Sequence, residues 1–72
     1  MIIVDQKRMS IHVQIGEVYI DRVEPEQIRL AKPGDDLAVI GRYESRARAS
    51  QVLMKIALAM EGGVVIHYMP EE

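Results

Sequence analysis

The chain has 72 residues, no cysteine and a formal net charge of −2. That length allows one domain, residues 1–72, close to the lower limit for a self-sufficient core. The cysteine count excludes disulfides and thiolate metal sites, and the mild acidity removes any general attraction to nucleic acid or to an anionic membrane.

Phe and Trp are absent, so the core must be assembled from Ile, Val, Leu, Met and Ala. Domains this small often make up the deficit by associating. Ile2-Ile3-Val4 is too short for the apolar region of a signal peptide and runs straight into Asp5. No run approaches the ~20 apolar residues of a membrane span. A soluble cytoplasmic protein is expected.

Met1–Val4 is a short, continuous apolar run that suits a strand covered on both faces. Asp5 to Arg8 turns the chain. Met9–Ile15 alternates, with Ile11, Val13 and Ile15 on one face and Ser10, His12 and Gln14 on a wet one. Gly16 permits a bend, and Glu17–Val23 alternates again, Val18 and Ile20 opposing Tyr19 and Asp21. Glu24-Pro25-Glu26 breaks that pattern. Gln27–Ala31 is the next strand, Lys32 to Asp36 supplies a Pro-Gly turn, and Leu37–Tyr43 is a further strand.

Ser45 is placed to cap a helix that runs to Met60. Ala49, Val52, Leu53, Ile56 and Met60 recur at helical spacing and form its core stripe. Gly62-Gly63 suits a left-handed stop. Val64–Met69 closes the domain as a strand, with Pro70 to Glu72 as a tail. The order β-β-β-β-β-α-β predicts an α+β fold: a mostly antiparallel sheet of five or six short strands with one helix on one face. Ile2–Val4 and Val64–Ile66 are the most apolar strands and are expected to lie centrally and to pair.

One combination of residues resembles a known group. Met1-Ile2-Ile3-Val4, Gly41-Arg42-Tyr43, Arg48-Ala49, Val52-Leu53 and Tyr68-Met69-Pro70-Glu71-Glu72 are similar to a pattern in short uncharacterised bacterial proteins often found in phages and other mobile elements. The likeness covers both ends and the helix. It implies the fold above and a mobile-element origin, but no activity and no functional residues. Related helices carry Glu and Lys where Met54 and Leu58 stand here.

That departure bears on the helix's outer face. At 100° per residue, Ala47, Met54 and Leu58 lie about 140–180° from Ala49. A lone helix on a sheet should present Lys, Glu or Gln there, and only Gln51 and Lys55 comply. These three residues are either scattered surface apolars, which need no explanation, or a candidate self-association stripe for the same helix of another copy. Arg42, Arg46 and Arg48 crowd the helix start, where cations oppose the macrodipole. They are balanced either by acids such as Glu44, Asp35 or Asp36, or by an anionic ligand such as a nucleotide.

Other candidates carry less. His12 and His67 have no third ligand at metal spacing. Ser10, Ser45 and Ser50 show no elbow or triad context. Tyr19, Tyr43 and Tyr68 lack the basic surroundings of a nucleic-acid platform, and Asp35-Asp36 and Glu71-Glu72 lack calcium-loop spacing. No catalytic residue, metal site or cofactor is expected. The sequence points to a non-enzymatic interaction module, a homodimer or other homo-oligomer that binds or inhibits another protein. The alternative is an oligomeric protein that sequesters a small anion at the arginines.

Overall fold

The computed structural model describes residues 1–13, 16–32 and 35–72. Within them Ser45 starts the helix as its hydroxyl suggests, accepting a hydrogen bond from the Arg48 amide at 3.1 Å. Helix α1 spans Arg46–Glu61. It ends where Gly63 turns to φ 73°, a conformation that a side chain would oppose. The Gly63 amide donates to the Met60 carbonyl at 3.2 Å and the Val64 amide to Ala59 at 2.9 Å. These paired bonds satisfy carbonyls that a helix end otherwise leaves free.

Six strands accompany the helix: β1 (Ile2–Val4), β2 (Ile11–His12), β3 (Glu17–Ile20), β4 (Gln27–Lys32), β5 (Asp35–Arg42) and β6 (Ile66–Tyr68). The α+β class and the element order agree with expectation. The strands, however, form two three-stranded sheets, ordered β2-β1-β6 and β3-β4-β5. The second is an antiparallel meander with register shifts along β4–β5. In the first, β1 is central, antiparallel to β2 and parallel to β6. β1 pairs with the last strand as expected, but that strand is Ile66–Tyr68 and not Val64–Met69, so Val64 and Val65 precede the ladder, and β6 lies at an edge.

Gln6 joins the two sheets. Its amide donates to the Ile40 carbonyl at 3.0 Å. Its side chain behaves like one more peptide group, accepting from the Arg42 amide at 2.7 Å and donating to the Arg42 carbonyl at 2.7 Å. The same Nε2 also donates to the Glu71 carbonyl at 2.8 Å, which fastens the tail.

Ile3 from the first sheet, Ile28, Leu30 and Ile40 from the second, and Ala49, Val52 and Ile56 from α1 meet in one core, with Tyr43 and Met69 closing it. Full burial of such an aliphatic side chain contributes about 1.5–3 kcal/mol. Met60 departs from the expected stripe: it has the right angle but belongs to the last helical turn, and it is 55% exposed.

β2 departs too. Its expected span Met9–Ile15 contracts to two residues, with Ile15 outside the described residues. Its faces are also reversed. Val4 aligns with Ile11 and buried Ile3 with His12, so His12 takes the core side while Ile11 and Val13 point outward. β3 stops early because the Asp21 carboxylate accepts from the Val23 amide at 2.8 Å and turns the chain. The expected Pro33-Gly34 turn lies outside the described residues.

Gly41 shows how closely the parts fit. A Cβ there would stand 2.7 Å from Tyr43 Cε2 and 2.9 Å from its hydroxyl. Gly41→Ala must displace a buried ring, at a cost of about 1–3 kcal/mol. Urea unfolding should show the midpoint falling accordingly; an unchanged midpoint would mean that the ring moves aside freely.

Candidate functional site

Helical geometry separates the arginines that the sequence groups. Arg46 and Arg48 stand two positions apart, hence about 200° around the axis. Arg48 leans towards Tyr43, its guanidinium 5.9 Å from the ring centroid. Its Nε and Nη2 donate to the Glu72 carbonyl at 3.0 and 2.7 Å. Arg48 and Arg42 share a cavity of about 400 Å³ with Tyr43, Glu44, Glu71 and Glu72. Arg46 lines a different groove, beside Asp21, Arg22 and Ser50. An anion at the first cavity would meet three carboxylates with the two guanidinium groups, one already engaged. Asp35 and Asp36, the other expected counter-charges, have side chains outside the described residues.

Tyr43 is the buried wall of that cavity. Its hydroxyl donates to the Pro70 carbonyl at 2.9 Å. Burial pushes the phenol up to about 12, with the nearby Arg48 and Arg8 charges pulling the other way. The group is a fixed donor, not a base poised for neutral pH.

Arg8 does more than its place in a turn suggests. It adopts φ 59°, and its Nη1 donates to the Asp5 carbonyl at 3.0 Å and to the Met69 carbonyl at 2.6 Å. It lies 5.6 Å from the Tyr68 ring centroid and 3.8 Å from the Glu71 carboxylate. Asp5 organises the same turn, accepting from the Met9 amide at 2.9 Å and the Ser10 hydroxyl at 2.7 Å. Burial would raise the Asp5 carboxyl, but these hydrogen bonds outweigh it and hold the group below its ordinary value. No local pattern marks Arg8, because its partners Tyr68, Met69 and Glu71 come from the far end of the sequence.

His12 and His67 both align with Ile3, on opposite sides of β1. The intervening strand holds their backbones about 10 Å apart. His12 Nε2 lies 3.4 Å from the Ser10 hydroxyl. His67 Nε2 is buried without a hydrogen-bond partner among the described residues. Burial, then the nearby Lys55 charge, lowers its pKa. Among the described residues no three His, Asp or Glu side chains stand close enough to hold a metal ion. Asp21 is committed to Arg29 at 2.6 Å, and that bond, followed by the Val23 amide, lowers its carboxyl.

The most distinctive surfaces are apolar. Ala47, Met54 and Leu58 are exposed as their helical angles predict, the last two at 60% and 61%. Met54 borders a groove of about 310 Å³ with Val18, Leu53, Ala57 and Met60. The sheet β2-β1-β6 turns a second apolar face outward: register places Ile2 beside Ile66, and Val4 between Ile11 and Tyr68. Sequence alternation detects that β2 has an apolar side, but its direction depends on the pairing with β1.

Comparison with protein-family models, curated proteins and solved structures finds no match for this chain. Among the described residues no helix is long and apolar enough to cross a membrane.

His67 gives the fold a measurable acid response. Its pKa lies below 6.5 when folded, so the unfolded chain binds the proton more readily. The stability it contributes is complete above pH 6.5 and declines as pH falls below it towards the lowered folded value. Thermal unfolding across mildly acid pH should show this slope, and His67→Leu should remove it. A slope that survives the substitution belongs to another group.

Proposed function

We propose that the protein is a small interaction module without catalysis, which self-associates as a dimer through Ala47, Met54 and Leu58 and binds or inhibits another protein. The observation that carries this reading is the outer face of α1. The helix buries Ala49, Val52 and Ile56 on one side, yet presents Met54 and Leu58 to solvent on the other. A surface helix normally carries charge there. Methionine suits such a contact because its flexible thioether adapts to irregular partners.

The chemistry of the remaining groups agrees. Tyr43 is locked to a carbonyl, Ser45 caps the helix and Ser10 binds Asp5. Tyr43 and Ser45 thus have structural partners where an enzyme would need a nucleophile beside a base, and the Ser10 hydroxyl, 3.4 Å from His12 Nε2, donates its hydrogen bond to the Asp5 carboxylate. The outward face of β2-β1-β6 provides further apolar surface suited to a protein partner.

Met54→Glu with Leu58→Glu tests the stripe. These side chains lie outside the core, so the double variant should keep its circular dichroism spectrum. Native mass spectrometry should find it as a monomer while the unsubstituted protein is dimeric. An oligomer of unchanged mass would remove the stripe as the interface.

A further inference from the structure

Every strand edge presents backbone groups that invite another chain, and folded proteins generally guard them. Three of the four sheet edges here are guarded. β5 is covered by Gln6, whose amide bonds Ile40 and whose side chain bonds Arg42. β2 is two residues long. β3 opens on Glu17 and is followed by the turn-forming Asp21.

Among the described residues β6 has none of these devices. From Gly62 to Pro70 the sequence contains no Asp, Glu, Lys or Arg, and Val64 to Tyr68 contains no Pro or Gly. Two bonds fix which way its peptide groups face. The Ile2 amide donates to the Val65 carbonyl at 2.7 Å, and the Met69 amide to the Val4 carbonyl at 3.0 Å. Odd-numbered residues therefore address β1, and alternation turns the N–H and C=O groups of Ile66 and Tyr68 to the open edge.

We propose that this edge pairs with β6 of a second copy, antiparallel about His67, to form one continuous sheet β2-β1-β6-β6′-β1′-β2′. The arrangement is self-complementary. Ile66 exchanges both backbone bonds with Tyr68 of the other copy, and the symmetry repeats the exchange on the other side of His67. An antiparallel match about a two-fold axis closes at two copies, and between Gly62 and Pro70 the strand brings no Asp, Glu, Lys or Arg of its own to the seam, the nearby guanidinium being that of Arg8 over the Tyr68 ring. Val64, Val65, Ile66 and Tyr68, exposed by 42, 71, 44 and 60%, flank it. They carry on the order of 400 Å² of accessible surface, about half of what one partner brings to a standard interface. The pairing therefore belongs to the small end of specific interfaces, with a mass that rises with concentration. It rests on the proposed self-association and gives it another seat, as an alternative to the helix stripe, because two such two-fold contacts used at once would carry the assembly beyond two copies; the two can fail separately.

Amide exchange on the unsubstituted protein tests the pairing without disturbing the fold. At concentrations where native mass spectrometry finds dimer, the Ile66 and Tyr68 amides should exchange about 100-fold or more slowly than freely exposed strand amides. His67→Cys supplies a second measurement, because the chain has no other cysteine. In the proposed register the two Cα atoms lie about 4.5 Å apart, within disulfide reach, so mild oxidation should convert that variant to covalent dimer. A monomer at all concentrations, or a dimer whose Ile66 and Tyr68 amides exchange freely, overturns the proposal. If that second dimer is lost in Met54→Glu with Leu58→Glu, the helix stripe stands and the edge pairing falls. A dimer that survives those substitutions with both amides protected keeps the edge pairing and removes the stripe.

Discussion

Both sheets depend on one stripe of α1, because Ala49, Val52 and Ile56 are the helical side chains that fill the shared core. Ile3 approaches it from β1, and Ile28, Leu30 and Ile40 approach it from the meander. In a chain without Phe or Trp, such branched aliphatics must close the interior by fit more than by bulk. Tyr43 supplies the single aromatic ring of that core, and Gly41 leaves it the room. The remaining contacts are joints around this centre: Gln6 between the sheets, Arg8 and Arg48 along the tail.

Those joints share a chemical logic. Gln6, Arg8, Tyr43 and Arg48 each donate a side-chain hydrogen bond to a main-chain carbonyl between Met69 and Glu72. A segment without regular secondary structure has unpaired carbonyls, and here side chains from three separate parts of the chain satisfy them. The arginines that look like bait for an anion are partly accounted for in this way. Arg48 serves the tail, while Arg46 stands on another side of the helix. Grouping residues by closeness in sequence overlooks the rotation between them.

The features legible in the sequence are those that local physics decides. Ser45, the Gly62-Gly63 stop and the stripe at Ala49, Val52 and Ile56 act within a turn or two of backbone, and all take their expected places. The alternation of β2 is equally local, but which side faces the core depends on its register with β1. Met60 has the correct angle yet overhangs the core, because a helical wheel carries no information on how far the sheets extend. Division into two sheets is illegible for a similar reason: it depends on which strands pair, and neither that pairing nor the joint of Gln6 with β5, across a long sequence separation, is recorded in composition or periodicity. Arg8 shows the same limit: a turn residue by pattern, it becomes a clamp through partners at the far end.

The parallel alignment of β1 with β6 also sets an order of events. The centre of the first sheet is the first strand in the sequence, and one of its two neighbours is the last. A chain emerging from the ribosome can form the meander and begin the helix while β1 still lacks that neighbour. Ile3 then has no finished core to enter until Gly63 has turned the chain back. Contacts that span nearly the whole sequence slow folding, because a large loop must close before they repay its entropy. This domain therefore completes itself late, and loss of the few residues after the helix would leave its first strand without a parallel partner.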